Sequence, residues 1–76
     1  MTEMEWMDTF GDNLKSYLED YRMTQNELAE EMGVSKSCIS AYINKQKMPT
    51  LKNAINMAYV FGVSLDELVD FYERID

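Results

Sequence analysis

The chain contains no histidine, one cysteine (Cys38), one proline (Pro49) and three glycines scattered singly. Each shortage removes a chemistry. Without imidazole there is no side chain that titrates unperturbed near neutral pH, and no histidine to ligate a metal. One thiol closes no internal disulfide and builds no zinc site. Its expected role at position 38 is a small half-buried side chain rather than an oxidant sensor. Isolated glycines exclude a phosphate-cradling loop. No apolar stretch approaches the ~20 residues of a membrane-crossing helix, and no charged, apolar and small leader opens the chain. Neighbouring carboxylates (Glu30 with Glu31, Asp66 with Glu67) are consecutive on expected helices, so they diverge instead of forming an acid–base pair. The composition points away from an enzyme and gives no cofactor, metal or small-molecule ligand. A soluble, cytoplasmic protein is expected.

What is present fits one small domain. Of 76 residues, 46% are hydrophobic, enough for a core with little surplus stability. The net charge is −7, which taken alone opposes binding to nucleic acid. Its distribution says otherwise. Between Glu31 and Asp66 there is no acid, while Lys36, Lys45, Lys47 and Lys52 lie in that gap. A locally positive patch on an acidic body is expected, against the blander reading of lysines clustered by chance in a solvated loop.

Residues 1–8 read as a flexible lead-in, although Trp6 and Met7 could fold back on the core; residues 9–76 read as a single domain. Thr9 to Arg22 is the first expected helix, with Phe10, Leu14, Tyr17, Leu18 and Tyr21 inside ~100° of arc. These aromatics belong to the core by default, since a base-stacking platform would need them exposed. Thr50 caps a helix from Leu51 to Phe61, with Leu51, Ala54, Ile55 and Ala58 inward and Gly62 as its stop. Ser64 and Glu67 make a capping box for a fifth helix running to about Arg74. Its apolar residues are Leu65, Leu68, Val69, Phe71, Tyr72 and Ile75. That stripe is wide enough either to close the core or to meet a partner surface.

The centre of the chain is Thr24 to Ile43, which reads as helix, tight turn and helix. Thr24 and Glu27 form a capping box. Leu28, Ala29 and Met32 give an apolar face, Gly33 stops the helix, Val34 plugs the turn and Ser35 caps the next helix. On that second helix Ile39, Tyr42 and Ile43 point to the core. Lys36, Ser37, Ser40, Ala41 and Asn44 share the opposite side, within ~140° of arc. A thin face of short hydrogen-bonding side chains and one lysine suits a DNA major groove, which admits a helix and offers donors and acceptors.

At these residues the sequence resembles the Cro and phage-repressor (XRE-like) helix-turn-helix family. The resemblance rests on the joint register of Gln25, Glu27-Leu28-Ala29, Gly33-Val34-Ser35, Ile39-Ser40, Pro49 and Gly62-Val63-Ser64 with Leu65 and Leu68. It implies an all-α, compact five-helix bundle of the lambda-repressor-like DNA-binding kind, in a bacterium or its phage, with residues 24–43 as the motif. It also implies base reading at Lys36, Ser37 and Ala41, and a two-fold dimer on near-palindromic sites with half-sites ~34 Å apart.

The residues themselves add Ser40 to the base-facing set, with Gln25 at a helix N-terminus and Asn44, Lys45 and Lys47 after the second helix as phosphate contacts. Lysine at 36 can read guanine; serine is permissive and alanine touches only a thymine methyl, so shape and water would carry part of the specificity. The expected partner is double-stranded DNA, and the expected oligomer a homodimer joined through the fifth helix at Phe71, Tyr72 and Ile75. Two positions depart from the family pattern. Leu18 and Ile43 stand where members often pair arginine with glutamate, so an apolar contact would replace an ion pair. Lys45 stands where glycine is usual, so the helix would run on or the turn would change.

Two other readings compete with this one. One is an interaction module of the same fold, anti-repressor or antitoxin-like, favoured by the acidic charge and the apolar fifth helix. The other is an acyl-carrier-like protein, which needs an Asp-Ser-Leu attachment site; here Ser64-Leu65 follows Val63, and Ser64 is better used as a cap.

Overall fold

In the computed structural model, which describes residues 2–69, the chain forms α1 (Glu3–Asp20), α2 (Gln25–Met32), α3 (Lys36–Ile43), α4 (Leu51–Phe61) and α5 (Leu65–Val69). There is no strand among the described residues, and the all-α, five-helix expectation holds. Helices α1 and α2 both pack on α3, α1 also packs on α5, and α4 bridges α2 and α5. The expected homodimer contacts Phe71, Tyr72 and Ile75, and the expected helix end near Arg74, lie outside the described residues.

Short side-chain caps set the helix starts. Thr24 and Glu27 close the expected box, with Glu27 N donating to Thr24 Oγ1 at 3.1 Å and Thr24 N to Glu27 Oε1 at 3.2 Å. Ser64 and Glu67 do the same for α5 at 3.1 and 3.3 Å. Ser35 and Thr50 cap α3 and α4 by accepting from Cys38 N and Asn53 N. Each such cap satisfies donors that a helix start would leave unpaired, worth ~1 kcal/mol. Gly33 and Gly62 end α2 and α4 in the left-handed conformation, at φ 70° and 66°.

The core is built from Phe10, Leu14 and Leu18 of α1, Leu28, Ala29 and Met32 of α2, Ile39 and Tyr42 of α3, Met57, Ala58 and Phe61 of α4, and Leu68 of α5. Burying one large apolar side chain of this kind contributes ~1.5–3 kcal/mol. Tyr17 of α1 and Tyr21 at its C-cap knit the far end together, although Tyr21, expected in the core, is 47% exposed. Tyr17 stacks on Phe61 at 5.3 Å between ring centroids, and the Tyr21 hydroxyl donates to the Phe61 carbonyl at 2.6 Å.

Three further sequence expectations need correction. The lead-in is helical from Glu3, because Thr2 accepts from Glu5 N as an N-cap and starts α1 six residues before Thr9. Leu51 and Ile55 do not point inward: they are 68% and 52% exposed, and Tyr59 beside them is 87% exposed. The inward face of α4 is instead Ala54, Met57, Ala58 and Phe61, the i, i+3, i+4, i+7 set, which places Leu51 and Ile55 one step round the cylinder. Lys45 neither lengthens α3 nor changes the turn. It takes up glycine's conformation at φ 63°, and Lys45 N and Gln46 N bond back to the carbonyls of Tyr42 and Ala41 at 3.1 and 2.9 Å.

Gly11 sits where α1 crosses the end of α3. A methyl group there would lie 2.9 Å from the Tyr42 carbonyl oxygen and 3.1 Å from that of Ile43. The two helices therefore meet backbone to backbone.

Candidate nucleic-acid interface

The geometry of α3 follows from its two faces. Ile39 and Tyr42 are buried in the core. Tyr42 is fixed further by an edge-on contact with Phe10 at 5.8 Å and by its hydroxyl, which accepts from Asn53 Nδ2 at 2.9 Å. Burial raises the Tyr42 phenol above its ordinary value, with a hydrogen bond to Cys38 adding to the shift and that from Asn53 opposing it. Cys38 is half-buried.

The outer face of α3 carries the expected base-reading set. Lys36 and Ser37 are exposed, and Ser40 and Ala41 are half-buried. Ser37 Oγ lies 3.0 Å from the capping Ser35 hydroxyl. Ser40 Oγ donates to Gln25 Oε1 at 2.6 Å, which ties the outer face of α3 to the first turn of α2. Gln25 is thereby oriented, and Ser40 is partly committed within the fold. Across a notch of about 340 Å³, Lys36 faces Thr24, Gln25 and Asn26.

The expected phosphate contacts are less uniform. Asn44 and Lys47 are exposed, and the Lys47 ammonium lies 5.4 Å from the centre of the Tyr42 ring, a cation–π contact that steadies the side chain. Lys45 is engaged elsewhere: its Nζ is 3.0 Å from Asp12 Oδ1 and 3.8 Å from Asp8 Oδ1. The hydrogen bond to Asp12 raises the Lys45 pKa above its ordinary value. Gln25, Ser40 and Lys36 are thus brought together, Ser37 contacts the Ser35 cap, and Lys45 is drawn toward α1. Leu18 and Ile43, the apolar substitutes for an ion pair, line one cleft.

Sequence reasoning missed three residues. Asn26 shares the notch with Lys36, and its signal was a second amide directly after Gln25. Asn53 fixes Tyr42 from the first turn of α4, and Asp12 holds Lys45; neither pairing leaves a mark in local sequence. Among the described residues no cluster of acidic or thiol side chains could hold a metal, and no helix is long and apolar enough to cross a membrane.

Comparison with known proteins converges on one family. Residues 14–68 match the model described as helix-turn-helix. An uncharacterised HTH-type transcriptional regulator of Bacillus subtilis, YqaE, is 32% identical over 60 residues, covering 79% of this chain and 52% of its own length. An uncharacterised HTH-type transcriptional regulator of Methanocaldococcus jannaschii is 36% identical over 55 residues, covering 72% of this chain and 83% of itself. The chain thus spans about half the length of the Bacillus relative. Among solved structures, the SOS-response transcriptional repressor LexA from Eubacterium rectale superposes with a TM-score of 0.83 at 22% identity, covering 95% of this chain and 76% of that one. A hypothetical transcription factor from Neisseria gives 0.80 at 25% identity, covering 91% and 79%.

Proposed function

The chain belongs to the helix-turn-helix family, and from that premise we propose that it is a sequence-specific DNA-binding transcriptional regulator. We read it as a small cytoplasmic repressor that acts as a homodimer on near-palindromic operators. The observation that carries the reading is the outer face of α3: Lys36 and Ser37 exposed, no acid on that helix, and Ser40 bonded to Gln25 at 2.6 Å. With α3 in the major groove, Lys36 reads a guanine edge while Ser37, Ser40 and Ala41 line the remaining base contacts. Gln25 meets a phosphate, aided by the helix dipole. Asn44 and Lys47 hold the opposite backbone, and Lys45 joins them when it leaves its carboxylates.

A single domain with so few contacts binds weakly. Dimerisation supplies the missing affinity, and the exposed Leu51, Ile55 and Tyr59 on α4 support an association of some kind. That same stripe favours the second reading, an interaction module that grips another protein, anti-repressor or antitoxin-like. Selection of bound duplexes from a random pool separates the two. The regulator reading expects an enriched motif with two-fold symmetry and half-sites ~34 Å apart. An unenriched pool, with the chain recovered only in complexes with protein, would favour the interaction module.

A further inference from the structure

We infer that the DNA-facing surface extends beyond the motif onto the first helix and the turn that follows it, where Lys15 and Arg22 grip backbone phosphates; this rests on the DNA-binding reading above. Lys15, Leu18 and Glu19 recur at i, i+3 and i+4 along α1 and so share one side of it, and Arg22 follows in the turn after the helix. With Met23, Thr24, Gln25 and Ile43 they line a cleft of about 410 Å³. Gln25 is common to this cleft and to the notch holding Asn26 and Lys36. A continuous strip therefore runs from Lys15 through Arg22, Gln25 and Asn26 to Lys36, along the edge that meets a sugar-phosphate rail when α3 lies in the groove.

The charges on this strip are uncommitted. The ion pairs among the described residues both belong to Lys45, and Lys15 and Arg22 are exposed. Leu18, Met23 and Ile43 give the floor on which long aliphatic stems can lie while the charged heads stay outward. Glu19 is the acid in the same cleft and lowers its net charge without cancelling it. Arg22 also stands at φ 53°, with Met23 N closing on the Leu18 carbonyl at 2.9 Å. That conformation favours glycine, and glycine occupies it at the ends of α2 and α4. The end of α1 holds a guanidinium instead.

The test is fluorescence anisotropy of the full chain on a selected duplex between 50 and 200 mM salt, with Lys15→Gln combined with Arg22→Gly. Neither change threatens the fold: Lys15 is exposed, and glycine relieves the left-handed backbone. The unfolding midpoint followed by circular dichroism is expected to hold or rise. Loss of two phosphate contacts flattens the plot of log affinity against log salt by roughly 1.8, with base preference unchanged. Arg22→Lys with native Lys15 keeps the original slope. An unchanged slope in the double variant, or an altered base preference, overturns this assignment while leaving the motif's DNA binding intact. Failure of the wild-type chain to bind any duplex overturns the DNA reading and this inference together.

Discussion

Lys45 and Arg22 adopt the same left-handed backbone at the ends of α3 and α1, but the two cations face different surroundings. Lys45 is held by Asp12 and Asp8, so its charge is already neutralised before a phosphate arrives. Replacing both acids, Asp8→Asn with Asp12→Asn, should release it: affinity rises several-fold, and the salt dependence steepens by roughly 0.9 per phosphate gained. Binding titrations at two or more salt concentrations read this directly. Lys36→Ala should act differently, relaxing preference at one base position at a cost of ~1–3 kcal/mol; binding to a panel of single-base operator variants measures it. Equal weakening on every sequence would make Lys36 a phosphate contact instead. Lys47→Glu should weaken all duplexes alike and flatten the salt response. At this scale the sequence showed which side chains carry charge, but not their partners. Asp8 and Asp12 lie far upstream of Lys45, and only the packing of α1 on α3 brings them together.

The helices were legible wherever local chemistry dictates them. Thr24 with Glu27 and Ser64 with Glu67 closed as boxes, and Gly33 and Gly62 stopped their helices, because caps depend on residues within a few positions of each other. Thr2 with Glu5 is the same Thr-x-x-Glu pattern as Thr24 with Glu27, and it starts α1 at Glu3. Element-level errors arose where locality fails. On α4 both Leu51, Ala54, Ile55 and Ala58 and the observed Ala54, Met57, Ala58 and Phe61 recur at i, i+3, i+4 and i+7, so the pattern alone does not choose the buried face; it is set by what packs against it, here α2 and α5. Gly11 gave no sequence signal, since its importance lies in a crossing contact. Gly11→Ala should separate α1 from α3 and destabilise the fold by ~1–3 kcal/mol, as overpacking does. Urea unfolding checks this, and a variant as stable as the parent would show that the crossing can relax.

At the scale of the whole molecule, two groups among the described residues link stability to alkaline pH. The Tyr42 phenol is raised above its ordinary 10.0 by burial first, and the Lys45 ammonium above 10.5 by its bond to Asp12. In both, the folded state holds the proton more tightly than the unfolded chain. Their contributions are therefore complete below those ordinary values and are lost as pH rises through the folded ones. The thermal midpoint should be flat from neutrality to about pH 9.5 and fall above it. Tyr42→Phe should blunt that fall while losing ~0.5–1.5 kcal/mol through the Asn53 hydrogen bond. The joint at Gly11 has one more consequence. The carbonyls that abut α1 are main-chain atoms of α3, so the joint is blind to the side chains at Lys36, Ser37 and Ala41. Those three can be exchanged to recode the target without resetting the tilt of the rod that carries them, which makes the outer edge of α3 an interchangeable part on a fixed mount.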